Sequence, residues 1–337
     1  MQKNNVIKVI SIIIGTIIGA GFASGKEIFL FFKIYQGMGI IGIIFSCLFT
    51  AIIIYVTLKI AIDKKIENNE EFLQKITKNN ISKNILKIII NAFLIISFFI
   101  MIAGWSAFFK QKYNIPTIIT SLIMSILLYF TFMKYIDGIM KINGYIIPIL
   151  IIIVIYIATT NINRTEPPKF ENVSRASALF SAMLYSSYNS IILIPILISS
   201  SKIIKNEKQI KIITIITAII LAILSICIFQ ILSLAKFNVN YVELPILKIL
   251  EKNKIQEILY SIVVVIAIFT SAISAGFGIL ENIKTKEKYK KAAFVLCFLS
   301  IPISYIGFGK LINIMYPVFG AIGIYQIALL CYNSKNK

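Results

Sequence analysis

The sequence contains no histidine. That removes the usual imidazole proton relay and the commonest metal ligand. Cysteine is scarce: Cys47, Cys227, Cys297 and Cys331 are scattered, mostly inside apolar runs, with no CxxC spacing. Neither a zinc site nor a disulfide framework follows from that pattern, and the thiols read as packing groups. No phosphate-binding loop of the type G-x-x-x-x-G-K followed by Ser or Thr occurs, which argues against ATP-driven transport within this chain. Acid is thin, with 14 Asp and Glu against 34 Lys and Arg, and it lies mainly in polar gaps. An integral-membrane enzyme would show clustered His, Asp or Glu, so the chain is expected to be no enzyme and to hold no cofactor.

What the sequence has is apolar length. Of 337 residues 58% are hydrophobic, and the mean hydropathy is +0.88. Soluble domains are about 45–50% apolar. A bilayer removes the need for a polar surface, since about 20 apolar residues cross its core. Ten apolar spans are expected, near 5–34, 37–62, 84–111, 115–133, 138–160, 174–202, 209–234, 256–283, 290–307 and 309–332. The first is read as a span because no small-residue cleavage signal ends it. The polar gaps are too short for a separate soluble domain, so 1–337 is expected to form one transmembrane domain. The longest gap, 63–83, is expected to hold a short surface helix, and 235–255 also has helical character.

The formal charge of +20 admits a nucleic-acid surface as an alternative, but the basic residues sit between apolar runs and no soluble module carries them. Their sidedness is more informative. With the N-terminus inside, 22 of the 34 basic residues fall on the inner side, and both termini are then cytoplasmic.

The first span contains Gly15, Gly19, Gly21 and Gly25 within eleven residues, followed by Lys26 and Glu27. Each glycine costs about 1 kcal/mol relative to Ala inside a helix. Two readings compete. The spacings Gly15/Gly19 and Gly21/Gly25 suit close helix packing. They also suit a helix broken in mid-membrane, whose freed amides and carbonyls bind a substrate and an ion. A pure packing motif needs no charged pair, and intramembrane charges usually face a cavity or each other, so the broken helix is preferred. The sixth span carries Tyr185-Ser186-Ser187-Tyr188-Asn189-Ser190 and then Pro195. These side chains either pack against neighbouring helices or line a polar cavity. Interruptions in corresponding spans of two five-span halves, about 5–160 and 174–332, point to an inverted-repeat transporter broken in its first and sixth helices.

The stretch from Gly15 to Ile28, GTIIGAGFASGKEI, resembles the opening of the YkvI-like bacterial membrane proteins, members of the amino acid–polyamine–organocation superfamily. In architecture the resemblance covers the whole chain, and in residues mainly the first span. It implies a five-plus-five LeuT-type fold in the bacterial inner (cytoplasmic) membrane. In sodium-coupled members of this fold, Na⁺ lies between first-span carbonyls and eighth-span hydroxyls. Carried over, these are Gly15 and Ile18 with Ala267, Thr270 and Ser271. The alternative is that Thr270 and Ser271 merely bond back to their own helix. In proton-coupled relatives a fifth-span lysine can take the ion's place. Lys141 is the only candidate, and its place about one turn into the span favours snorkelling to the interface instead.

The substrate would sit against the breaks, its carboxylate on the amides of Gly19, Ala20 and Gly21, with Tyr185, Ser186, Tyr188 and Asn189 completing the site. Glu27 pairs either with a cationic substrate group or with Lys26. Trp105 reads as gate or packing. The echo Ala275-Gly276-Phe277-Gly278 reads as a packing surface or coincidence. The expected function is secondary active transport of a small solute, an amino acid or related amine, coupled to Na⁺ or, less favoured, H⁺. The alternative is a ligand-sensing receptor subunit on a transporter scaffold, like germinant receptors. The expected partners are a small-molecule substrate and the bilayer, without nucleic acid. Nothing in the sequence sets an oligomeric state.

Overall fold

The computed structural model describes residues 2–66, 68–77, 80–133, 139–165, 170, 174–280, 283 and 285–335. The described structure is helical. The first span becomes three pieces: α1 (Gln2–Ile17), α2 (Ala20–Ser24) and α3 (Lys26–Phe31). α4 (Gln36–Asp63) follows, then a short α5 (Asn69–Ile76), α6 (Asn80–Tyr113), α7 (Thr117–Met133) and α8 (Ile139–Thr160). The second half holds α9 (Arg175–Ser201), α10 (Glu207–Leu232), a short α11 (Pro245–Leu250), α12 (Lys254–Leu280), α13 (Lys286–Ser304) and α14 (Phe308–Lys335).

Among the described residues, six stretches carry helix long and apolar enough to cross a membrane: Lys26–Asp63, Asn80–Tyr113, Arg175–Ser201, Glu207–Leu232, Lys254–Leu280 and Phe308–Tyr332. Asn5–Ile17, Thr117–Met133 and Ile147–Thr160 are shorter apolar helices. Their outward faces keep large apolar side chains exposed, among them Ile215, Ile219 and Ile223 on α10 and Ile123, Leu127 and Phe130 on α7. Water would penalise such faces, whereas hydrocarbon accepts them. The inward face of α7 carries small hydroxyls instead, and Ser125 bonds Ser300 of α13 across the contact at 3.3 Å. Small polar residues of this kind let membrane helices approach closely.

Helix ends follow local chemistry. Asn68, Asn206 and Ser174 cap α5, α10 and α9 by accepting from Glu71, Gln209 and Ser177 backbone N–H groups. Asn114 turns left-handed at φ 54° after α6, and Pro116 follows just before α7. The surface helix expected between 63 and 83 is α5, and the 235–255 gap holds a 3₁₀ turn (Val239–Tyr241) and α11.

One expectation is corrected. α9 runs without a break through Tyr185–Ser190 to Ser201. The helix stays closed, and three of its polar side chains turn back onto it. Ser186 donates to the Ala182 carbonyl, Asn189 to Tyr185 and Ser190 to Ser187, at 3.2, 3.0 and 2.7 Å. Pro195 is carried inside the helix.

Candidate functional site

The backbone opens where side chains are missing. Gly19 is extended (φ −93°, ψ −169°), and Gly25 is left-handed at φ 85°, a conformation glycine adopts without a Cβ penalty. A Cβ on Gly25 would also press on Ile246 and Leu232 at 2.8 and 3.2 Å. The opening frees carbonyls. The Gly19 N–H, which would serve Gly15 in a continuous helix, bonds Ile17 instead. No donor among the described residues reaches the Ile18 carbonyl. Residues 20–28 are all buried, so this irregular backbone lies inside protein, where membrane structures tolerate it.

α12 stands beside the opening. A Cβ on Gly19 would lie 3.8 Å from the Ser271 hydroxyl. Ala267 and Thr270 lie buried on the same helix. Thr270 donates to its own helix at Ile266 and Ala267, at 3.0 and 3.3 Å. That uses its proton but leaves its oxygen lone pairs. Below the opening, a Cβ on Gly15 would fall on the end of Ile147 from α8. Lys141 belongs to the part of α8 whose side chains lie outside the described residues.

Lys26 and Glu27 are neighbours in sequence but not partners. Lys26, 1% exposed, donates to the Val239 and Asn240 carbonyls at 3.0 and 3.2 Å. Glu243 closes the same corner, accepting from the Gly309 N–H at 2.5 Å, and a Cβ on Gly309 would lie 3.1 Å from both Glu243 and Lys26. Glu27, 3% exposed, turns the other way and accepts from the Tyr188 hydroxyl at 2.5 Å. Its carboxylate lies on Gly21, where a Cβ would collide with it.

Of the sixth-span residues, Tyr188 alone makes a polar contact with the first span's described charges. Its ring stacks on Phe31 (5.5 Å, 21°) and on Tyr316 (4.6 Å, 19°). Tyr185 packs edge-on against Phe31 and Phe32. Ser186 ties α9 to the Ser46 carbonyl of α4 at 2.9 Å, a packing role. Asn189 bonds only within α9. Trp105 packs against Phe109 and Phe269. The echo at Gly276 and Gly278 is a packing surface, since Cβ atoms there would meet Phe132 and Leu94.

Tyr260, Tyr316, Glu243 and Phe93 join this region without a sequence signal. Tyr260, fully buried on α12, donates its hydroxyl to the Ala23 carbonyl. Phe93 tilts against Tyr188 and Tyr316. With 24 Phe and 16 Tyr in the chain, no local pattern marks the three aromatics.

No protein-family profile matches the chain. It is 26% identical over 353 aligned positions to the uncharacterized membrane protein YkvI of Bacillus subtilis (strain 168), covering 100% of this chain and 98% of that protein. It is 24% identical over 331 positions to the uncharacterized protein YyaD of the same organism, covering 97% and 96%. Among solved structures it resembles an Eremococcus coleocola manganese transporter crystallised with an aromatic bis-isothiourea substituted compound. There the TM-score is 0.64 at 13% identity, over 97% of this chain and 78% of that one. Apolar helices, a glycine-opened first helix and these likenesses together place the chain among multi-pass membrane proteins with a transporter fold.

Proposed function

We propose that the protein is a secondary active transporter that moves a small solute, an amino acid or related amine, by alternating access with sodium coupling, and that it is not an enzyme. One observation carries this reading: the first helix opens at Ile18–Gly19 inside the protein, beside Ser271, in a fold shared with a membrane transporter. An opening of that kind gives neutral carbonyls to a cation and amide N–H groups to an anionic head. In this reading Na⁺ takes the carbonyls of Gly15, Ile18 and Ala267 and the hydroxyls of Thr270 and Ser271. The solute carboxylate takes the amides of Gly19, Ala20 and Gly21.

Ten spans in two halves of five are consistent with the packing. α4 lies on α10, α6 on α12 and α7 on α13: second on second, third on third, fourth on fourth. A two-fold axis in the membrane plane between inverted halves would produce that pattern. The basic residues then place both termini in the cytoplasm, with the protein in a bacterial cytoplasmic (inner) membrane. Manganese is not taken over from the structural neighbour as cargo. Among the described residues no three Cys, Asp or Glu stand together, and transition metals select sites by such donor sets.

The test is thermal stability of the purified protein in detergent against amino acids and amines, each in Na⁺ and in K⁺. A ligand of the native state raises the melting temperature. A shift for one amino acid only in Na⁺ is the expected result. A sodium-independent shift would favour proton coupling or a ligand-sensing subunit, and no shift would remove the substrate class. Thr270→Ala with Ser271→Ala is expected to abolish the sodium dependence while the protein still unfolds cooperatively. Unchanged sodium dependence would remove the ion assignment.

A further inference from the structure

We propose that Glu27 carries a proton when α3 is packed against α9 and α14, and that loss of this proton is what releases α3. The inference rests on the transporter reading for its consequence, that the proton is coupled to solute movement.

The surroundings of Glu27 decide the matter. Its carboxyl is buried, and its side-chain partner is the Tyr188 hydroxyl at 2.5 Å. The rings of Phe31, Tyr185, Tyr188 and Tyr316 enclose that hydrogen bond. The titratable groups facing it from neighbouring elements are Tyr185 and Tyr188 of α9 and Tyr316 of α14, with Cys47 of α4 behind Tyr185. Among the described residues no cation answers it. Lys26 on the same helix reaches Val239 and Asn240, and Lys33 reaches Ser233 beside α10's Phe229 ring. Among the described residues no Lys or Arg lies within ion-pair distance of Glu27.

A carboxylate removed from water without a counter-charge is strongly disfavoured, and two hydrogen bonds, from the Tyr188 hydroxyl and the Phe22 backbone N–H, do not replace its hydration shell. Depth in a membrane makes the penalty harder to escape. A metal ion or an ammonium group would need room. The carboxyl already lies flush on Gly21, where even a Cβ would collide, and stacked rings close the other side. A proton needs no room. Added to Oε1, it makes the group neutral while Tyr188 still donates to Oε2. Once that proton leaves, the carboxylate must find water, and it does so when α3 parts from the tyrosines of α9 and α14. Protonation therefore closes this corner and deprotonation opens it. The device is separate from the sodium ligands, which sit at the other end of α2 beside α12.

The experiment is infrared titration of the purified full-length protein from about pH 5 to about pH 9, a range above the ordinary carboxylate region, where exposed carboxyls are already ionised, in H₂O and D₂O. The expected result is a protonated-carboxyl C=O band, sensitive to deuterium, that disappears in Glu27→Gln. In Tyr188→Phe the band shifts in frequency because a donor to the same group is gone. A wild-type band absent at every pH, or unchanged in both variants, overturns the proposal. If Glu27→Gln fails to fold, the shift in Tyr188→Phe decides alone. Coupling is read in proteoliposomes with any solute found by thermal stabilisation. An inward proton gradient is expected to speed uptake at least tenfold in wild type and not in Glu27→Gln, and equal acceleration in both overturns the coupling. A Glu27 band with no solute stabilising the protein would instead sustain the proton site and sink the transporter reading, so the two failures differ.

Discussion

The first span and α9 meet at the Glu27–Tyr188 hydrogen bond, and they treat an interruption in opposite ways. The first span is interrupted by missing side chains. Gly25 allows a left-handed residue, Gly19 is extended, and the carbonyls of Gly15 and Ile18 lose their helical donors. α9 carries polar side chains where an interruption was expected, yet its helix is continuous, and Ser186, Asn189 and Ser190 bond their own carbonyls one turn back. Inside a membrane every backbone group must find a partner. Hydroxyls and amides can meet that need within their own helix, whereas glycine has no side chain to offer and leaves the carbonyls of the opening free.

Gly25→Ala is the strongest attack on this contrast. It forces an L side chain into the left-handed region, against Ile246 and Leu232. Overpacking of that sort costs about 1–3 kcal/mol, and the melting temperature is expected to fall sharply. Tyr188→Phe comes next, since it removes the side-chain donor to the buried Glu27 and leaves the Phe22 backbone N–H. Loss of one such hydrogen bond costs about 1 kcal/mol, read in the same thermal assay. Tyr260→Phe, which removes the α12 donor to the Ala23 carbonyl, is expected to cost less. Side-chain hydrogen bonds between membrane helices average about 0.6 kcal/mol.

Ser190→Ala is the matching probe of α9. Its hydroxyl serves only its own helix, so its loss is expected to change stability by less than about 0.5 kcal/mol. A large loss there would show that α9 depends on its hydroxyls for more than helical continuity.

The smallest effect lies outside the spans. Hydrogen bonds from Lys87 and Lys83 hold the exposed Glu70 carboxyl below its ordinary value. A carboxyl depressed on folding contributes stability above its unfolded pKa and loses it as pH falls through the folded one. The protection of α5 amides, measured against their intrinsic exchange rate at each pH, is therefore expected to fall below about pH 4. Glu70→Gln is expected to show the lower protection at neutral pH already.

Composition by itself determined the membrane class. Apolar runs exceed what a soluble surface allows, and basic residues cluster in the gaps. The break in the first span was also legible, because glycine acts through its own backbone and needs no knowledge of neighbours. The continuity of α9 was not legible. A run such as Tyr185–Ser190 can turn its side chains to its own helix or to a cavity, and packing against α4 and α14 settled that choice. The sequence showed Lys26 and Glu27 as a charged pair within an apolar run. Only the tertiary structure sent one to the carbonyls of Val239 and Asn240 and the other to Tyr188. Successive residues on a helix point about 100° apart, so adjacent charges reach different neighbours, and those neighbours come from segments more than 150 residues away.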